Sequence, residues 1–73
     1  MVDIATLSNN EAEEYIIGIM LVDNNKVPYI KAMLNEDDFY SKSLRILFKS
    51  IIEMVDKGKG CDIITLSEYL DFN

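Results

Sequence analysis

The 73-residue sequence contains no histidine, no tryptophan, one cysteine, one proline and three glycines. Without histidine it lacks the commonest general base and the commonest metal ligand. Its lone cysteine, Cys61, can form no intrachain disulfide and no cysteine-based metal site, and no histidine is present to activate it as a nucleophile. Cations are scarce: seven Lys and Arg stand against thirteen Asp and Glu, a net charge of −6. A field of that sign repels phosphate backbones unless the cations cluster. Only Lys42, Arg45 and Lys49 share a helical spacing, and solvated helix positions account for them, so no direct nucleic-acid contact is expected. No apolar run approaches the ~20 residues of a membrane span. The first fifteen residues hold Asp3, Glu11, Glu13 and Glu14 and have no basic start, unlike a secretory leader. No membrane partner is expected, and a single reduced cysteine favours the cytoplasm.

What is present is a hydrophobic content of 49%, too high for a disordered acidic tail. The length allows one domain, which buries only about 60% of the surface its unfolded chain exposes. Three short stretches invite a chemical reading. Gly58-Lys59-Gly60 is not a phosphate loop, because Lys59 is followed by Gly60 and Cys61 rather than by Ser or Thr. The segment from Asp23 lacks the glycine of a calcium loop and puts Val27 where an oxygen ligand belongs. The acidic run Glu36-Asp37-Asp38 consists of adjacent residues, whose side chains diverge on a helix; its simpler role is to cap the next turn. No catalytic residue, metal site or cofactor site is expected, and the chain does not read as an enzyme.

Periodicity predicts an all-α fold. After an N-terminal arm, residues 1–9, a first helix runs from about Asn10 to Val22, with Asn10 and Glu13 at capping-box spacing. Ala12, Ile16, Ile19 and Met20 make its expected inner face. Ile17 and Leu21 form a second stripe that would face a partner or, in a central helix, the rest of the bundle. Gly18 costs about 1 kcal/mol inside a helix, and close approach of another helix would justify it. A shorter helix with Pro28 in its first turn buries Val27, Ile30, Met33 and Leu34. The clearest helix carries Leu44, Leu47, Phe48, Ile51, Ile52 and Val55 on one stripe, is capped by Ser41 or Ser43, and ends at Gly58. Ile46 points away from that stripe. A last helix opens at Thr65 with Glu68 as its box partner and turns Leu66, Tyr69 and Leu70 inward. Phe39 and Tyr40 anchor the corner between the second and third main helices, and Asp38 caps it.

Three blocks of this chain resemble the N-terminal domain of the DnaB-family replicative DNA helicases. They are Glu11–Asn25, with Glu-Ala-Glu before a glycine-containing aliphatic run; Asp38–Gly58, with Asp38-Phe39-Tyr40, Arg45 and Phe48; and Cys61–Leu70, with Asp62 and Thr65-Leu66 before a short helix. The chain departs from the family at Leu44, where His is usual, at Lys42, near a usual Pro, and at the Gly58–Asp62 turn. The resemblance implies a small orthogonal bundle of about four main helices over residues 10–73, without the C-terminal helical hairpin and the ATPase domain. It implies a non-catalytic module of DNA replication, part of the helicase collar, whose partners are other helicase subunits, primase or a helicase loader. An alternative is a free-standing phage or mobile-element protein that mimics this domain and regulates helicase, loader or primase. Ile17, Leu21, Arg45 and Ile46 are the candidate partner interface; Asp38, Phe39 and Tyr40 are the candidate structural corner.

Overall fold

The structure, a computed structural model, describes residues 9–71, with side chains from Glu11 onward. Four α-helices follow one another: α1 (Asn9–Val22), α2 (Val27–Met33), α3 (Lys42–Asp56) and α4 (Ile63–Asp71). Two 3-10 turns, Asn24–Lys26 and Glu36–Asp38, carry the chain into α2 and towards α3. No strand occurs among the described residues, and no helix there is long and apolar enough to cross a membrane. The expected N-terminal arm lies outside the described residues save Asn9, which opens α1, and so does the Asn10 side chain.

α3 is the hub, packing against α1, α2 and α4. Phe48, Ile51 and Met54 are buried on it, with Leu44, Leu47, Ile52 and Val55 half-buried around them. Its start is fixed by Ser41, whose hydroxyl accepts from the Leu44 N–H at 3.4 Å. Its end is a Schellman turn: the Gly58 N–H donates to Val55 O and the Lys59 N–H to Met54 O. That turn needs a left-handed residue, and Gly58 supplies it at φ 78°.

The core joins Ile17 and Met20 of α1, Val27 of α2, Phe39, the α3 residues, Cys61 and Leu66. The placement of Ile17, Met33 and the start of α4 bears on what the sequence pattern predicts. Ile17 is 5% exposed and belongs to the core, the bundle-facing alternative for its stripe. α1 is apolar nearly all round, and periodicity in such a helix does not say which face turns inward. Met33, expected inside, is 73% exposed, because α2 ends there and the chain leaves in extended form at Leu34. α4 begins at Ile63 rather than Thr65. Asp62 accepts from the Ile64 and Thr65 N–H groups, while its own N–H donates to the Thr65 hydroxyl. Asp caps as well as Thr does, and the Asp62–Thr65 box closes before a Thr65–Glu68 box can.

Among the described residues, a Cβ built at Gly18 meets nothing within 4 Å. The close approach expected of it is therefore not made by any other described helix. Gly18→Ala is expected to stabilise the folded chain by about 1 kcal/mol through helix propensity alone. Urea unfolding checks this: the midpoint should rise with the slope unchanged.

Candidate functional site

The acidic stretch before α3 is a capped turn. Asn35 Oδ1 accepts from the Asp37 N–H, and Asp38 Oδ2 accepts from the Asn35 N–H. Asp38 thus caps the 3-10 turn from within, and Ser41 takes the cap of α3. Among the described residues, no three His, Cys, Asp or Glu side chains come together as metal ligands would.

The corner that follows is held from three sides. Phe39 is buried against Phe48, with ring centroids 4.6 Å apart and planes tilted by 38°. Arg45, one turn into α3, folds back so that Nη2 donates to Phe39 O at 2.9 Å. Its buried Nε has no hydrogen-bond partner among the described residues. From α1, the carboxylate of Glu13 accepts the N–H groups of Tyr40 and Ser41, each at 3.0 Å. Glu13 is only 7% exposed. It is therefore a tie between α1 and the start of α3. Tyr40, expected to anchor the corner, contributes its backbone alone; its side chain is 87% exposed. Between α1 and this corner lies a cleft of about 450 Å³, with Ala12, Ile16, Leu34 and Arg45 on its walls.

A second tie closes the opposite end of α1. Asn24 Nδ2 donates to Met20 O and to Cys61 O, both at 2.9 Å, and Asn24 Oδ1 accepts from the Cys61 N–H at 2.8 Å. One amide thus joins the end of α1 to the entry of α4 across 37 residues of sequence. The Cys61 thiol beside it is buried, 3.7 Å from Met54 Sδ. Burial, with the Asp62 carboxylate next, pushes its pKa up, which makes it a poor nucleophile. Asn24→Ala removes all three bonds and strands the Cys61 N–H, at an expected cost of about 2–3 kcal/mol. Asn24→Asp should do no better, because a carboxylate cannot donate to two carbonyls. Urea denaturation of both variants beside the parent chain measures the loss.

Of the four candidate interface residues, only Ile46 is exposed, at 48%. Leu21 is half-buried against the core, Arg45 is half-buried at the corner, and Ile17 is inside. The structure joins Arg45 to Phe39 but assembles no single surface from the four. The outward apolar surface of α1 and α2 belongs instead to Tyr15, Val22, Tyr29 and Met33.

A helical domain with a hub helix and a tied aromatic corner is compatible with many modules. Comparison with known proteins decides which. The family model described as the DnaB-like helicase N terminal domain matches residues 5–73. The chain belongs to this family. The DnaB-like domain is 39% identical over 61 residues to the replicative DNA helicase DnaB of Buchnera aphidicola subsp. Baizongia pistaciae, covering 84% of this chain and 13% of that protein. It is 34% identical over 62 residues to the replicative DNA helicase DnaB of Treponema pallidum, covering 85% and 14%. With that of Pasteurella multocida the identity is 35% over 60 residues, covering 82% and 13%. The chain thus spans about one-eighth of the length of these relatives. No solved structure matches it.

Proposed function

We propose that this DnaB-like domain is a non-catalytic protein-interaction module of DNA replication. It acts as the collar domain of a cytoplasmic replicative helicase, supporting subunit assembly and contact with primase or a helicase loader. The observation that carries this reading is the family match over residues 5–73, which takes in every described helix. Two features of the chain support it. The sequence holds no phosphate-binding loop, so nucleotide hydrolysis would fall to another part of the protein. The polar side chains of Glu13 and Asn24 are committed to long-range ties inside the fold. What remains for function is surface.

Sedimentation of the purified chain, alone and mixed with the replicative helicase or the primase of the same source, tests this. Co-sedimentation with either at micromolar concentration is the expected result. A lone monomer in both mixtures at high micromolar concentration would overturn it.

A further inference from the structure

α4 contributes little to the core that the other helices share. Leu66 is its buried residue, with Tyr69 and Leu70 half-buried beside it, while Ile63 and Ile64 are exposed. Of the nine buried apolar residues described, the other eight lie outside α4. The ties made by Glu13 and Arg45 at the start of α3 do not involve α4 either. α4 meets the far end of α3, where the Tyr69 hydroxyl donates to the Glu53 carboxylate and Lys57 Nζ stands 5.7 Å from the centre of the Tyr69 ring. The joint between the two helices is short. The N–H groups of Gly58 and Lys59 close the end of α3, and the Asp62 carboxylate opens α4, each by local bonds. Between them lie Gly60 and Cys61, and Asn24 holds Cys61 at both its N–H and its carbonyl.

We propose that α4 is a latch: it leaves α3 in one step, hinged at Gly60 and Cys61, while α1, α2 and α3 stay folded, and its opening exposes the Cys61 thiol. The inference goes beyond the interaction-module reading and does not depend on it. The single step follows from length, because a helix of nine residues does not persist in water once undocked. The independence follows from where the core lies. Ile17, Met20, Val27, Phe39, Phe48 and Ile51 pack without any residue of α4 or its joint. An opening that exposes so little buried surface needs less free energy than global unfolding. The hinge sits where a few loop residues can absorb the change in backbone direction. Asn24 is the clasp, since its amide binds the hinge residue from the exit of α1. Weakening that clasp raises the open population, and any affinity that depends on it, by the same factor.

The test is the reaction of Cys61, buried in the closed form, with dithiobis(nitrobenzoate). The thiolate attacks the reagent's disulfide, a mixed disulfide forms and one coloured nitrothiophenolate leaves. Amide hydrogen exchange on the same chain reports the opening of α3 at Ile51 and of α4 at Leu66. With each rate normalised to the unfolded chain, Cys61 and Leu66 should open with the same equilibrium constant, larger than that of Ile51 by about tenfold or more. Below the global transition, the labelling rate should rise with urea by less than half of the global slope. Asn24→Ala should speed labelling by about tenfold or more. Tyr69→Phe, which keeps the ring and removes the donor to Glu53, should speed it by about threefold or more. Glu13→Ala weakens the whole chain from the opposite end of α3 and should leave labelling within about twofold of the parent. Glu13→Gln makes the same comparison with a smaller global loss. Labelling that keeps pace with exchange at Ile51, both in urea and in the Glu13 variants, would overturn the proposal, because α4 would then come away only with the whole fold. So would fast labelling that neither Asn24→Ala nor Tyr69→Phe changes, because the thiol would then be reached without movement of α4.

Discussion

Phe48→Ala is expected to cost about 3–5 kcal/mol, the range for emptying a buried aromatic site. Phe48 is 1% exposed, on the helix that touches all three others. Its ring packs at 4.6 Å on Phe39, the other large buried ring, so the loss includes an aromatic contact as well as buried area. The hole cannot close cheaply. Phe39 is tied on both sides, by Arg45 at its carbonyl and by Glu13 at the next two N–H groups, so the corner is not free to collapse inward. A domain of 73 residues has on the order of 4–11 kcal/mol of stability in all. The loss is therefore a large share of the whole, and the urea midpoint of the variant should fall steeply. Ile46→Ala is the control. It lies two residues away on the same helix, is 48% exposed, and should change stability by less than about 0.5 kcal/mol. Equal losses for the two variants would mean that α3 does not present the face described.

The contrast between Phe48 and Ile46 was legible in the sequence because α3 has a polar side. Lys42 and Lys49 mark what faces outward, and the apolar stripe opposite them leaves one choice of core. Ser41 and Gly58 fix the ends of the same helix by local chemistry that needs no tertiary information. α1 carries no such marks after its first turn. Ile16, Ile17, Ile19, Met20, Leu21 and Val22 are all apolar, so the inward face is chosen by what packs against it. Ile17, on the stripe left open between a partner and the bundle, is core, while Ile19, expected on the inner face, is only half-buried.

Reading the polar residues together with the apolar ones would have turned α1 the right way. Glu13, Ile17 and Met20 fall at i, i+4 and i+7, and Asn24 follows at the next i+4 step. The line begins and ends with a polar side chain able to hold backbone groups, and those two side chains make the longest-range hydrogen bonds from α1 and its exit. Glu13 even belongs to the Glu-Ala-Glu block on which the family resemblance rests. Its acceptors were assigned to the near end of its own helix because capping boxes are local. Which distant N–H groups need an acceptor depends on where the chain turns, and that is not written near Glu13. The same limit applies to Tyr40: an aromatic beside Phe39 looks like an anchor, but neighbouring side chains in an extended corner point opposite ways, and only one can be buried.

Glu13→Ala is expected to cost about 2–4 kcal/mol, a large loss for a side chain that touches no ligand. The carboxylate receives two N–H groups at 3.0 Å while 93% of its accessible surface is withdrawn from water. Hydrogen bonds to a charged acceptor contribute about 1.5–3 kcal/mol each, and buried donors left without one add their own penalty. One of the two donors is the N–H of Ser41, the cap of α3, so the negative charge also sits at the positive end of the hub helix. The open cleft beside the corner limits the loss, because water can reach part of the vacated space. Glu13→Gln keeps one acceptor oxygen but turns an NH₂ towards the other N–H, so it should recover less than half of the difference. Glu13→Asp, shorter by one methylene, should not span both donors. Global unfolding measures the sum, and amide hydrogen exchange separates the cause. In the parent chain the Tyr40 and Ser41 amides should be protected although Tyr40 is exposed. In Glu13→Ala they should exchange rapidly while Ile51 and Met54, deep in α3, lose protection only in step with global stability. Rapid exchange at Tyr40 and Ser41 already in the parent chain would mean that the tie between α1 and the corner does not hold in solution. The loss on Glu13→Ala would then have to come from α1 alone.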